Sequence, residues 1–303
     1  MLFRSRSNDE LEDLSSSLLA LEENVSETQG ELRRISEERG RLQAELSIAS
    51  SIQHGVLPTD FPNETSYEIY ALMDPAREVG GDFYDFFRLD EERIALVIGD
   101  VSDKGIPAAL FMMTAKAVLK AQAQTFKDPA EILAAVNRTL CDSNPAEMFV
   151  TVWIGILNLK TGLLTAANGG HEYPMFKLGN SPFEVMKDPH GLAVAAMETA
   201  KYKNYEVQLQ PGDRLLVYSD GATDAVNTDR KDFGLDRLLE TVQNASVHPD
   251  AKGLIEEVRS TLMKYSEGAT QYDDITMLGL TYFGPNGRRE PADMDDASDT
   301  CSA

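Results

Sequence analysis

The stretch Val97-Ile-Gly-Asp-Val-Ser-Asp-Lys-Gly105 turns from an apolar run into an acidic, glycine-punctuated turn, and four other stretches mark similar events. They are Gly80-Gly-Asp-Phe-Tyr-Asp85, Asn168-Gly-Gly-His171, Ser219-Asp-Gly-Ala-Thr-Asp224 and Tyr272-Asp-Asp-Ile-Thr276. Short apolar runs bounded by turn residues read as buried strands. A fold for this chain must therefore end several strands in the carboxylates of Asp82, Asp100, Asp220 and Asp273, and must accommodate their charge. Gathered at one sheet edge, like charges are costly unless a cation joins them. Hard oxygen donors without His or Cys favour Mg²⁺ or Mn²⁺ over zinc. Any one of these acids, taken alone, is more readily a turn or capping carboxylate than a ligand.

The remaining pattern predicts strands at 67–73, 82–87 and 94–101, then a helix from Ile106 with Pro107 in its first turn and Ser102 or Asp103 as cap. A second helix follows Asp128-Pro129. Residues 149–157 and 163–167 flank the polar turn Asn158-Leu-Lys-Thr-Gly162 and read as a hairpin. Short strands at 175–178 and 184–186 pair beyond it, and 205–209 with 214–219 form a strand, turn, strand unit. Helices at 235–243 and 254–264 and a closing strand at 275–283 complete the domain, with residues 284–303 an acidic, disordered tail. Antiparallel runs of strands with grouped helices indicate an α+β fold.

Ahead of this domain lies a different pattern. Leu11, Leu14, Leu18, Leu21, Val25, Thr28, Leu32, Ile35, Arg39, Leu42, Leu46 and Ala49 alternate at spacings of three and four, a heptad seam broken only by Thr28 and Arg39. A coiled coil over residues 1–57 follows, stopped by Pro58, and a second copy of the chain is its simplest partner. The 303 residues carry a formal charge of -22, which disfavours nucleic acid and anionic lipid as partners. Two cysteines, Cys141 and Cys301, make no disulfide framework. No apolar run reaches the length of a membrane span or signal-peptide core. A cytoplasmic protein is expected, either whole or as the cytoplasmic part of a membrane-anchored sensor.

Taken jointly, the motifs resemble a known family. Glu78-Val-Gly-Gly-Asp-Phe-Tyr-Asp85, Gly99-Asp-Val-Ser-Asp-Lys-Gly105 with Pro107-Ala-Ala-Leu-Phe-Met112, Asn168-Gly-Gly-His171, Ser219-Asp-Gly221 and Asp273-Asp-Ile-Thr276 stand in the order found in the SpoIIE/RsbU-type branch of the metal-dependent (PPM, type two C) serine/threonine phosphatases. Ile52-Gln53 and Leu57-Pro58 in the preceding helix belong to the same resemblance, which covers about residues 50–283. It implies a sandwich of two antiparallel sheets flanked by helices and a binuclear Mn²⁺ or Mg²⁺ centre. Asp100 would bridge the ions and the Val101 carbonyl would complete one shell. Asp82 would bind one ion, Asp220 and Asp273 the other, and Asp224 a more labile third. Asp274 is the less certain alternative to Asp273, and Asp85 is the other acid of its motif.

By the same resemblance, the substrate is a small phosphoprotein, above all a phosphorylated STAS-type anti-sigma factor antagonist. Control is expected through the N-terminal helix or an upstream sensor. Arg77 is expected as a surface residue, His171 as part of a structural turn, and Asp103 and Lys104 as residues of the helix start. A catalytically silent phosphoprotein-binding scaffold is the rival function; the presence of all four principal acids argues against it. A calcium-binding module would need acids alternating within one compact loop, which the chain lacks.

Overall fold

The computed structural model describes residues 3–62 and 64–288, and for residues 3–13 the backbone alone. Helix α1 runs from Phe3 to Val56 and carries the whole heptad pattern. At 1.5 Å per residue it extends about 80 Å. The chain divides into two compact units, one up to Ser51 and the other from Ile52 onward. Within the first unit the seam residues Leu14, Leu18, Leu21, Val25, Leu32, Ile35 and Leu42 are all exposed.

The second unit is a sandwich of two antiparallel five-stranded sheets, as the motif resemblance implied. One sheet holds β1 (Tyr67–Asp74), β6 (Met175–Lys177), β7 (Glu184–Val185), β9 (Arg214–Tyr218) and β10 (Ile275–Tyr282), in the order β1-β10-β9-β6-β7. The other holds β2 (Phe83–Arg88), β3 (Arg93–Val101), β4 (Val150–Asn158), β5 (Leu163–Gly169) and β8 (Asn204–Gln208), in chain order. Helices α2 (Ile106–Thr125) and α3 (Pro129–Cys141) cover the second sheet, while α4 (Leu235–Ala245) and α5 (Ala251–Tyr265) cover the first.

Strand alternation explains the layers. Along β10, Leu278, Leu280 and Tyr282 join the core that includes the space between the sheets, while Ile275 and Met277 join the core beneath α4 and α5. With both faces covered, every residue of β10 is buried, which is why it reads as a continuous apolar run.

Three local expectations change. Gly105, at φ 84°, precedes α2 with no side-chain cap, so neither Ser102 nor Asp103 fills that role. Asp103 instead adopts φ 67°, a left-handed conformation that Asp tolerates better than most residues. The strands β8 and β9 do not pair with each other: β8 lies against β5 and β9 against β10 and β6, so Pro211-Gly212-Asp213 carries the chain from one sheet to the other. Helix α5 begins at Ala251, ahead of the expected 254, because the Asp250 side chain accepts from the Gly253 amide as N-cap. At the C-terminal side, Phe283 and Arg288 donate backbone bonds to Ser66 and Thr65. The rest of the expected tail, 289–303, lies outside the described residues.

Candidate active site

The sheet registers gather the acidic turns. In one sheet Phe83 at the start of β2 faces Gly99 near the end of β3. In the other, Tyr218 at the end of β9 faces Met277, and Ile275 at the start of β10 faces Asp74 at the end of β1. Asp82 and Asp100 thus arrive from one sheet, and Asp220, Asp273 and Asp274 from the other. Asp220 opens a short 3₁₀ turn, Asp220–Ala222, in which its carbonyl accepts from the Thr223 and Asp224 amides. Asp224 lies exposed on the same turn.

The two sheets are fastened at this end by Asp274. One of its carboxylate oxygens accepts from the Ala76 amide (2.7 Å), and the other from the amides of Gly81 (2.6 Å) and Asp82 (3.3 Å). Both oxygens are therefore occupied by backbone. Asp273 is only partly buried and pairs with Lys104, whose Nζ lies 2.8 Å from its Oδ2 and also donates to the Tyr272 carbonyl. Lys104, expected as a helix-start residue, instead reaches across the cluster and supplies a positive charge beside it.

Close approach of these turns depends on residues without side chains. A Cβ on Gly221 would fall 2.0 Å from the Asp274 carbonyl oxygen, and one on Gly81 would fall 3.1 Å from the Val101 carbonyl oxygen. Glycine in these positions lets the Asp220 turn meet the β10 start and keeps a residue-81 side chain from crowding the Val101 carbonyl.

The electrostatics follow from the crowding. Burial first, then the Asp100 and Asp274 charges, hold the Asp82 carboxyl well above the ordinary carboxylate range. Burial and the Asp220 charge push Asp100 up to about 7, and burial with Asp273 and Asp224 raises Asp220 to about 6. Asp82 Oδ2 and Asp220 Oδ1 are buried without a hydrogen-bond partner. Among the described residues, no three acidic, histidine or cysteine side chains converge as a formed metal cage. That is the arrangement expected of carboxylates that repel one another while Lys104 draws Asp273 aside.

Asp85 is not part of the cluster. It sits within β2, paired with Val97, and its carboxylate forms a buried ion pair with Lys116 of α2 while accepting from the Phe86 amide (2.9 Å). Arg77 is exposed, with its guanidinium beside Gly105 at the rim of the acidic turns. His171 is fully buried and its pKa falls to about 3, so the ring is neutral, with Nδ1 2.9 Å from the Thr151 hydroxyl. Asn168 closes that turn by accepting from the His171 amide (2.7 Å) and donating to its carbonyl (3.0 Å).

The residue that the motif pattern contained but did not explain is Gln53. Its carboxamide donates to the Gly80 carbonyl (2.6 Å) and accepts from the Gly80 amide (3.0 Å), next to the turn that delivers Asp82. Its place in the Ile52-Gln53 part of the resemblance is the sequence-level hint, and its role shows only once the inward face of that last turn is known.

Comparison with known proteins places these features in context. Residues 90–283 match the family described as Stage II sporulation protein E (SpoIIE). The chain is 31% identical over 264 residues to Protein IcfG of Synechocystis sp. (strain ATCC 27184 / PCC 6803 / Kazusa), covering 78% of this chain but only 41% of that protein. It is 29% identical over 255 residues to Phosphoserine phosphatase RsbU of Bacillus subtilis (strain 168), covering 82% of this chain and 72% of that one. Among solved structures, the SiaA-PP2C domain of Pseudomonas aeruginosa superposes with a TM-score of 0.71 at 23% identity, over 80% of this chain and 98% of that domain.

Proposed function

The chain belongs to the SpoIIE family of PPM-type phosphatases, and from that premise we propose that it is a metal-dependent serine/threonine phosphoprotein phosphatase. The observation that carries this reading is the meeting of Asp82, Asp100, Asp220 and Asp273 at one end of both sheets. Phosphoserine phosphatase RsbU, similar over most of this chain, supports the same class of reaction.

The residues fit a pair of hard divalent cations. The donors are all oxygen, burial first and then the neighbouring acid charges raise the Asp82, Asp100 and Asp220 carboxyls, and Asp82 Oδ2 and Asp220 Oδ1 are buried without a hydrogen-bond partner. Asp82, Asp100 and the Val101 carbonyl would hold one ion; Asp100, Asp220 and Asp273 would hold the other; Asp224 would hold a more labile third. Two Mn²⁺ or Mg²⁺ ions supply, when bound, a water acidified enough to attack phosphorus and positive charge against the phosphoryl oxygens. Asp274 keeps its backbone role and leaves Asp273 as the ligand on this turn. Lys104, which pairs with Asp273, would share that carboxylate with a bound cation.

The substrate class is a phosphoserine or phosphothreonine on a small regulatory protein, with a phosphorylated STAS-type protein as the first choice. The exposed seam on α1 supports a homodimer formed through a coiled coil, with residues 1–57 as the linker through which an upstream sensor acts. Among the described residues no helix is long and apolar enough to cross a membrane. The test is Mn²⁺-dependent release of phosphate from a phosphoserine STAS protein by the whole chain, beside Asp100→Asn and Asp220→Asn. Wild-type turnover lost in both variants is expected. Full activity in either variant refutes the metal assignment, and no turnover by the wild type with binding of the phosphoprotein supports the scaffold reading instead. Deleting residues 1–48 should change dimerisation and activity; no change in either removes the coiled-coil proposal.

A further inference from the structure

We propose that the cavity between the Asp220 turn and the α5–β10 connection receives a basic side chain of the phosphoprotein substrate, an Arg or Lys next to its phosphoserine. The inference rests on the phosphatase reading above and extends it from the reaction to the choice of substrate.

The cavity has a volume of about 350 Å³ and is continuous with the acid cluster, because Asp224 and Asp273 both line it. Ligand pockets span about 300–1,000 Å³, so the space suits one long side chain better than a whole cofactor. One wall is the chain after the Asp220 turn, with Ala225 and Val226; the other is the end of α5 and the residues leading to β10, with Met263, Glu267 and Tyr272. Hydrogen bonds within the fold hold both walls. The Phe233 amide donates to the Ala225 carbonyl (2.7 Å) and the Ala269 amide to the Ser266 carbonyl (2.9 Å). The Gln271 side chain donates to the carbonyls of Asp74 (2.9 Å) and Asp273 (2.8 Å). The cavity is therefore formed before any ligand arrives.

Its chemistry selects the occupant. Met263 and Tyr272 are 50% and 61% exposed, and with Ala225 and Val226 they offer apolar surface to the methylene stem of a long side chain. The charged residues that line the cavity, Asp224, Glu267 and Asp273, are all acidic; among the described residues no Lys, Arg or His lines it. Asp273 is paired with Lys104, and both Asp273 and Asp224 are assigned to cations above, so Glu267 is the carboxylate left for a ligand. The C-terminal end of α5 borders the cavity through Met263 and Ser266 and adds the partial negative charge of a helix dipole. The exposed Tyr272 ring adds a face that attracts cations. An acidic side chain would be repelled here, and an apolar one would leave Glu267 and the helix end unused. A guanidinium or ammonium on an aliphatic stem matches both parts of the cavity. Because the cavity shares Asp224 and Asp273 with the reacting centre, that group must adjoin the phosphoserine.

The test is steady-state kinetics of the whole chain in Mn²⁺ on three phosphoserine peptides whose residues flanking the phosphoserine are Arg, Leu or Glu, comparing wild type with Glu267→Lys. Exposed charge pairs are worth up to about fivefold, and exchanging Arg for Glu adds a repulsion to a lost attraction. The wild type is expected to favour the Arg peptide over the Glu peptide about tenfold in kcat/KM, chiefly through KM. Glu267→Lys is expected to abolish or invert that preference. A Leu peptide used as well as the Arg peptide, no discrimination among the three, or an Arg preference that survives in Glu267→Lys overturns the inference. Each preference is a ratio within one variant, so a general loss of activity in Glu267→Lys does not imitate the expected result. p-Nitrophenyl phosphate, which has no flanking residue, separates the two failures. No Mn²⁺-dependent turnover of it by the wild type overturns the phosphatase reading itself, whereas its turnover without peptide discrimination overturns the cavity assignment alone.

Discussion

Removing divalent cations should make this protein less stable as pH rises, with Asp100 as the main cause. Its carboxyl is raised from 3.8 to about 7 in the folded chain by burial and by the Asp220 charge. Between those values the folded state binds a proton that the unfolded state has released, so stability is highest at the acid side of the window and falls as pH climbs through it. A shift of about three pH units corresponds to roughly 4 kcal/mol lost between about pH 4 and pH 8. Asp82 and Asp220 shift in the same direction and steepen the fall. In Asp100→Asn that share disappears, and the neighbouring acids lose a repelling charge. With chelator present, the variant should match the wild type below about pH 4 and exceed it at pH 8 by up to roughly 4 kcal/mol. Adding Mn²⁺ at about 1,000 times its Kd should close that gap, since a cation bound only by the folded wild type then stabilises it by about 4.1 kcal/mol. Urea unfolding can be followed through Trp153, the single tryptophan, which is wholly buried. Equal wild-type stability at pH 5 and pH 8 in chelator, or a variant weaker than wild type at pH 8, would refute the reasoning.

Three further outcomes are expected. Lys116→Met leaves the Asp85 carboxylate buried without its cation and should cost about 3–5 kcal/mol, much of it regained in Lys116→Met with Asp85→Leu, as read from urea midpoints. Gly221→Ala places a methyl 2.0 Å from the Asp274 carbonyl; pushing the Asp220 turn away from β10 should cost about 1–3 kcal/mol in the chelated protein and weaken Mn²⁺ binding, and an unaltered isotherm would argue against the close approach. Leu32→Glu puts a charge on an exposed seam position; sedimentation should then show a shift from dimer toward monomer, whereas an unchanged assembly would place the dimer contact elsewhere.

The strands and the acids were legible because each sits in an abrupt change of chemistry. The buried run of β10 and the alternating face of β1 follow directly from residues that cannot be left in water. What stayed hidden depends on pairs far apart in the chain. Asp274 and Asp273 are adjacent and chemically identical, and only the amides of residues 76, 81 and 82 separate a backbone clasp from a carboxylate paired with Lys104. Asp85 was indistinguishable from Asp82 until Lys116 was found beside it. Lys104 looked like a residue of the turn before α2, and its reach to Asp273 depends on a loop 168 residues later. Pro211-Gly212-Asp213 carries the same turn chemistry whether the chain folds back in one sheet or crosses to the other, so the separation of β8 and β9 left no local trace.

The Asp274 clasp also bears on how the protein is made. Its carboxylate closes onto an amide 192 residues earlier, so a ribosome must deliver nearly the whole domain before the acidic turns can face one another. A chain truncated ahead of β10 can shape much of one sheet, yet it has neither the clasp nor Asp273. Among the described residues, the last strand in chain order is thus the one that brings the acidic turns of the two sheets together.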